Sequence, residues 1–302
     1  MAGLKLKSRA GVREGVRWGY ALGWYREFLT PGEGETVAQG ESETMARLKF
    51  LTRYNFKSTH ISMRELEQMD DAQKDAIFAY LAENDLDLMP GVGFDYLNAT
   101  GDEAKAETER NVRLVEKYAP LLRNRICHTG LNAGHRFDGR SVDLTLDALS
   151  TRMAALAEGC AQTGTPLCVE NHGDYYVSDL VKLCQTTPHL YIFLDTGNTY
   201  LLGEKPLPAF YEAAPYTVGT HFKDQRVQPK PHASPLNFEV GNSDLGGGMV
   251  PLRECWDILR KFAPDPENLT MLFEMFPPPG MDPVTCLKKS IAFVKSLDGV
   301  NL

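Results

Sequence analysis

Apolar positions along the chain follow two alternating periods: short β-prone runs, and longer segments in which apolar residues recur at helical spacing. The first run, Trp18-Gly19-Tyr20-Ala21-Leu22-Gly23-Trp24, predicts a strand leading into an aromatic-rich loop that continues through Pro31-Gly32-Glu33-Gly34. A helix follows from about Thr36 to Tyr54, with Met45, Leu48 and Leu51 on one face. Residues 57–62, 85–93 and 126–130 predict the second, third and fourth strands, separated by helices over about 70–84 and 102–123. A helix over 144–162, stopped at Gly164, precedes the Pro-Leu-Cys-Val run that ends at Glu170. The second half repeats the beat. A helix over 177–185 precedes the strand ending at Asp195, and a short helix near 209–214 precedes the strand ending at His221. A helix over 251–262 precedes the strand ending at Glu274, and the last helix covers 283–296.

Strands alternating with helices eight times predict an α/β fold, a single (β/α)8 TIM barrel, and not an open sheet. The barrel is expected over 16–302, with residues 1–15, which show no clear period, as an N-terminal tail or an extra strand covering the barrel bottom. One stretch breaks the rhythm. Residues 225–248 are long for a connection and contain Pro229, Pro231, Pro235 and Gly246-Gly247-Gly248, which predicts a loop covering an active site.

Composition narrows the class. With 302 residues, 43% of them hydrophobic, the chain can bury one large core. It has no apolar run long enough to span a bilayer and no apolar leader, so a soluble, cytoplasmic protein is expected. A net charge of -8 disfavours broad binding to nucleic acid or to an anionic membrane. Cys127 and Cys168 fall in predicted strands and Cys160, Cys184, Cys255 and Cys286 on predicted helices, with no Cys-x-x-Cys pair, so reduced core thiols are expected.

The candidate chemistry lies at four strand ends. Glu170, Asp195, His221 and Glu274 each close an apolar run, and the C-terminal ends of parallel strands share one face. Taken singly each is an ordinary charged strand end, but four in succession describe an oxygen-rich site for one divalent metal ion, Mn²⁺, Mg²⁺, Co²⁺ or Zn²⁺. A metal chelated by a ketone oxygen and the neighbouring hydroxyl stabilises the enediolate left when a carboxylate removes a proton from carbon. Carboxylates on opposite sides then give epimerisation, and one that carries the proton to the adjacent carbon gives isomerisation. Lys223 shares a pleat face with His221 and either polarises the carbonyl or pairs with Asp224. His172, shortly after Glu170, is assigned to substrate contact or proton transfer, with a loop cap as the alternative. His60 and His128 close the second and fourth strands and are assigned to substrate. Trp18, Tyr20 and Trp24 either form an apolar wall for a sugar or belong to the core. His135, His189 and His232 have no readable partner and are expected on the surface or in loops.

Glu170, Asp195-Thr196-Gly197-Asn198, His221-Phe222-Lys223-Asp224 and Glu274, in this order, resemble the xylose isomerase-like TIM-barrel superfamily, in particular its sugar phosphate isomerase/epimerase group. The resemblance runs from about Trp18 to the last helix. It implies that the four strand-end residues hold one divalent metal, that Glu170 and Glu274 are the acid/base pair, and that the substrate is a small carbohydrate or cyclitol in carbohydrate metabolism. Residues 244–250 look like the family's Leu-Gly-Glu-Gly loop, with Gly247 where glutamate is usual. Asn198, assigned here to substrate binding, stands where ketohexose epimerases of the family carry histidine. The His-x-Lys-Asp run is similar to that of inosose dehydratases and of enzymes acting on 3-keto-glycosides, which makes a lyase or dehydratase the alternative. A catalytically silent sugar-binding barrel is a further one. Endonuclease IV, a DNA-repair nuclease of the same superfamily, also has a histidine at the position of His128. Gly91, Asn198, Val240 and Asn242 stand where its further zinc ligands are expected, so too few donors are left for its three zinc ions. The sequence shows no Gly-rich phosphate cradle or Arg cluster, which favours an unphosphorylated substrate. Assembly as a homodimer or a tetramer is left open.

Overall fold

The two-residue alternation of side chains along each strand decides which residues face the barrel axis and which face the surrounding helices. The structure is a computed structural model describing residues 11–21, 42–99, 101–230 and 237–302. In chain order it comprises β1 (Arg17–Tyr20), α1 (Glu43–Arg53), β2 (Ser58–Ser62), α2 (Met63–Gln68), α3 (Asp71–Glu83), β3 (Asp87–Gly91), α4 (Gly101–Leu122), β4 (Cys127–Thr129), α5 (Val142–Gln162) and β5 (Leu167–Glu170). These are followed by α6 (Val177–Thr186), β6 (Leu190–Asp195), α7 (Asn198–Leu201), α8 (Pro206–Ala213), β7 (Thr217–Phe222), β8 (Gln225–Pro229), β9 (Phe238–Asn242), α9 (Leu252–Phe262), β10 (Thr270–Phe273) and α10 (Pro283–Lys295). All strands but β8 and β9 pair in parallel into one closed barrel, in the order β1-β10-β7-β6-β5-β4-β3-β2. This is the predicted (β/α)8 barrel. Gly164 ends α5 with a φ of +75°, the left-handed turn expected of a helix stop.

Inside the barrel the side chains form three levels. At the bottom, Arg17 Nε donates to Asp87 Oδ2 at 2.7 Å, and Asp87 Oδ1 accepts from Ser58 Oγ and Asn124 Nδ2, both at 2.6 Å. The middle is apolar, built from Met89, Ile126, Cys168, Tyr191, Phe193, Val218 and Leu272. The upper level holds the ionisable strand ends. Residues of opposite parity, such as Val169, Ile192, Leu194 and Phe273, pack outward in the larger core shared with the helices. All six cysteines are buried and unpaired, as expected. Among the described residues no helix is long and apolar enough to cross a membrane.

Three expectations change. Trp18 is 2% exposed and has outward parity, so it packs on Phe222, Trp256 and Phe273 under the helices and forms no wall for a sugar. Tyr20 shares that parity and packs on Phe50 and Phe56. Trp24, the loop through Gly34 and the start of the first predicted helix lie outside the described residues, as does most of the expected N-terminal tail. In the part of that tail that is described, residues 11–16 form no strand, and the Arg13 and Gly15 N–H groups donate to Arg123 O and Asn268 Oδ1. The 225–248 stretch contains a hairpin in place of an irregular loop: β8 pairs antiparallel with β9 from Gln225–Asn242 to Pro229–Phe238. Pro229, which argued for a loop, sits at the strand end, where its missing N–H costs no ladder bond.

Removing Asp87 would leave Arg17, itself 8% exposed, without its buried partner. Asp87→Ala should therefore destabilise the fold by about 3 to 5 kcal/mol in urea unfolding. A loss below about 1 kcal/mol would mean that Asp85, 3.3 Å from Arg17 Nη1, compensates by itself.

Candidate metal centre

Strand parity brings Glu170, Asp195, His221 and Glu274 to one level above the apolar plug. One ligand atom from each lies within 4.8 Å of the others, and all four residues are buried. His221 Nδ1 is 2.9 Å from Glu170 Oε1 and 3.1 Å from Glu274 Oε2. The second Glu170 oxygen lies 2.9 Å from His128 Nε2. The Phe193 ring supports both histidines edge to face, with centroids 4.9 Å from His221 and 5.2 Å from His128. Gly219 makes room for that ring, since a Cβ there would stand 2.6 Å from Phe193 Cε2.

Electrostatics explain why these groups tolerate one another. Burial alone would raise the Glu170 carboxyl, but His221 and His128 reverse this and hold it well below the usual range. Burial would likewise raise Glu274, yet His221 and Lys223 lower it. Asp195 moves the other way. Burial first, then the Glu274 and Glu170 charges, outweigh Lys223 and push it well above the carboxylate range, so Asp195 is the carboxyl of the three that holds a proton. Burial would lower His221, but Glu170, Glu274 and Asp195 bring it up to about 9. Glu274 Oε2 is buried and receives no hydrogen bond. A set of three carboxylates and one imidazole, held together by protons and leaving an oxygen without a donor, fits a divalent cation taking the place of those protons.

Lys223 Nζ bridges Asp195 Oδ2 at 3.3 Å, Glu274 Oε1 at 3.4 Å and Asn198 Oδ1 at 3.2 Å. Burial opposes its charge, but Asp195 and Glu274 prevail and raise it. It does not pair with Asp224, whose carboxylate instead accepts the N–H groups of Gln225, Gly246, Gly248 and Val250 at 2.8 to 3.0 Å. Asn198 is a strut in this arrangement: its N–H donates to Asp195 Oδ1 at 2.9 Å and its Nδ2 to Asn171 O at 2.9 Å. The His60 ring is 6.4 Å from that of His221, and burial together with the His221 charge lowers its pKa to about 3, so it is neutral. His172 is not brought in. It is exposed, and its N–H donates to Asp174 Oδ1 in the turn after β5, which matches the loop-cap alternative. Among the described residues the four strand ends are the one group of this kind, so the donors for a three-zinc centre are not assembled.

Sequence reasoning passed over three residues. Asn171 exchanges two hydrogen bonds with the Asp195 backbone, accepting from its N–H at 2.7 Å and donating to its carbonyl at 2.9 Å, and so locks the ends of β5 and β6 together. Its only signal was an uncharged polar residue directly after Glu170. Phe193 had a readable signal, since it lies two residues before Asp195 and must face the same way. Asp224 was read only as a possible partner of Lys223, because three of the four N–H groups it accepts lie more than twenty residues further on.

The family model for xylose isomerase-like TIM barrels matches residues 49–298. The chain belongs to this family. Similar solved structures include a family member from Mycobacterium smegmatis in complex with magnesium (14% identity, 93% of this chain and 96% of that one, TM-score 0.64). Another is a D-psicose 3-epimerase with D-tagatose from Clostridium cellulolyticum H10 (14%, 90% and 89%, TM-score 0.63). A third is a probable 3-DHS dehydratase from Bacillus anthracis (14%, 92% and 99%, TM-score 0.61). At such identities the likeness concerns the fold. Among curated proteins no sequence match reaches significance.

Protons on His221 and Asp195 hold the place a cation would take, so metal binding should expel them. At pH 7, calorimetry in buffers of different ionisation heat should show release of at least one proton per Mn²⁺ bound. Because His221 keeps its proton up to about pH 9, affinity should rise with pH to that point and level off above it. Binding without proton release would contradict the arrangement.

Proposed function

We propose that the protein is a divalent-metal-dependent isomerase or epimerase of a keto-sugar or keto-polyol, working by proton removal from carbon next to a carbonyl. The observation that carries this reading is the convergence of two low-pKa carboxylates, Glu170 and Glu274, with Asp195, His221 and the charged Lys223 in one buried cluster. Glu170, Asp195, His221 and Glu274 would hold the cation, Mn²⁺, Mg²⁺, Co²⁺ or Zn²⁺, which when bound supplies Lewis-acid stabilisation of the negative charge that develops on proton loss. Glu170 and Glu274 are both ionised at neutral pH, so each can accept a proton from carbon. His128, 2.9 Å from Glu170, orients that carboxylate and faces the mouth, where it can also meet a substrate hydroxyl. Lys223, held over Asp195 and Glu274 by Asn198, supplies a fixed positive charge for the carbonyl oxygen. The neutral His60 lines the same mouth as a hydrogen-bonding group for substrate. A sugar epimerase and a magnesium complex among the similar structures support the reading.

The dehydratase reading has a specific observation in its favour. The Lys223 ammonium stands 3.4 Å from Glu274, so a proton donor and a base lie side by side, as loss of a β-hydroxyl requires. A probable dehydratase shares the fold. Product analysis separates the two readings: an epimerase returns an isomer, and a dehydratase releases water.

The test is exchange of a carbon-bound substrate hydrogen with solvent, at saturating metal, across a panel of keto-sugars and keto-inositols. Glu170→Gln and Glu274→Gln keep an oxygen donor but remove the base, so with metal bound each should lower exchange by about 10² to 10⁴. Asp195→Asn should fail mainly through lost occupancy and recover partly with excess Mn²⁺. Exchange at the parent rate in both glutamine variants would remove these residues as bases.

A further inference from the structure

Arg47 stands at the barrel mouth outside the ligand cluster, and among the described residues no carboxylate pairs with it. β1 and β2 share a single register position, Gly19 with Ser58, where a Cβ on the glycine would stand 1.8 Å from Ser58 O, so the two strands touch there and pair no further toward the mouth. Arg47, in the N-terminal half of α1, reaches this end of β2, and its Nη1 donates to His60 O at 3.1 Å. His60 is the residue whose ring lies 6.4 Å from that of His221, so the guanidinium stands beside the wall of the candidate metal centre. Its Nε is buried without a hydrogen-bond partner, and no carboxylate among the described residues pairs with it. Tying α1 to β2 uses one N–H of the five that a guanidinium carries. A buried donor without an acceptor is costly, and a planar fork of this kind matches carboxylate and phosphate oxygens.

The charge balance points the same way. A divalent cation and Lys223 together neutralise Glu170, Asp195 and Glu274, and His60 is neutral. Among the described residues the positive charge of Arg47 is not used in that balance, and low-dielectric walls strengthen its attraction for an anion.

We propose that Arg47 receives an oxyanion group of the substrate, a carboxylate or a phosphate, so that the site takes an acidic keto-sugar or keto-polyol in place of a neutral one. The inference rests on the reading of the mouth as a keto-sugar site and names the substrate class within it. A single arginine, brought to the mouth by the packing of α1 on β2, takes the part of the arginine cluster that the sequence lacks.

The test is calorimetric titration of the Mn²⁺-loaded protein with D-fructose, D-fructose 6-phosphate and 2-keto-D-gluconate, for the parent, Arg47→Gln and Arg47→Lys. The parent should bind at least one of the two charged ketoses about tenfold or more tighter than D-fructose, and which one identifies the oxyanion as phosphate or carboxylate. Arg47→Gln should erase that preference, while Arg47→Lys, which keeps the charge and loses the fork, should retain part of it. Melting temperatures of both variants are compared with the parent, and if Arg47→Gln is destabilised the lysine variant carries the comparison. Equal affinity for charged and neutral ketoses, or a preference that survives Arg47→Gln, overturns the proposal. Solvent-hydrogen exchange is read separately: its absence with every ketose would sink the isomerase and dehydratase readings while leaving an Arg47-dependent anion preference standing.

Discussion

Three buried carboxylates within a few ångströms of one another are the constraint around which the upper half of the barrel is built. Two like charges about 4 Å apart repel by roughly 4 kcal/mol even at an effective dielectric constant near 20, and burial adds its own penalty. The surroundings answer this with positive charge and with donors. His221 stands between Glu170 and Glu274, Lys223 between Asp195 and Glu274, and two backbone N–H groups, those of Gly197 and Asn198, point at Asp195 Oδ1. A divalent cation taking the place of the protons on His221 and Asp195 would relieve the repulsion, and the same positive groups keep the Glu170 and Glu274 carboxyls below the usual range.

Rigidity below the cluster makes that geometry reproducible. The Arg17–Asp87 pair with Ser58 and Asn124 closes the bottom of the barrel, and the apolar middle level excludes water from between the two charged levels. Phe193 transmits this support directly, because one face of the plug is also the platform on which His128 and His221 rest.

The glycine run at 246–248 has a structural explanation that its likeness to a family loop does not supply. Asp224 gathers the amides of Gly246, Gly248 and Val250 into one turn, and a Cβ on Gly248 would stand 2.1 Å from Asp224 Oδ1. The turn therefore anchors the base of the hairpin to the residue that follows Lys223. At Gly247 a Cβ would stand 2.3 Å from Asp244 Oδ1, and its carbonyl accepts from Arg226 Nη2 at 3.1 Å.

By itself the sequence determined the alternation of strands and helices, the closure into a barrel, and the four strand ends that meet, because each follows from a local period: two along strands, about 3.6 along helices, and one ligand type at each polar strand end. Parity within the first run was equally local. Gly19 and Ala21 face inward, so Trp18 and Tyr20 had to face the helices. Only the tertiary structure decided what lies between distant segments. It set His128 on Glu170 across forty-two positions and Asp224 on a turn more than twenty residues away, paired β8 with β9 through a proline-bearing stretch, and brought Arg47 to the end of β2. Those contacts depend on the angle at which one element packs on the next, a quantity that no window of sequence encodes, whereas the direction of a side chain along a single strand is fixed by covalent geometry.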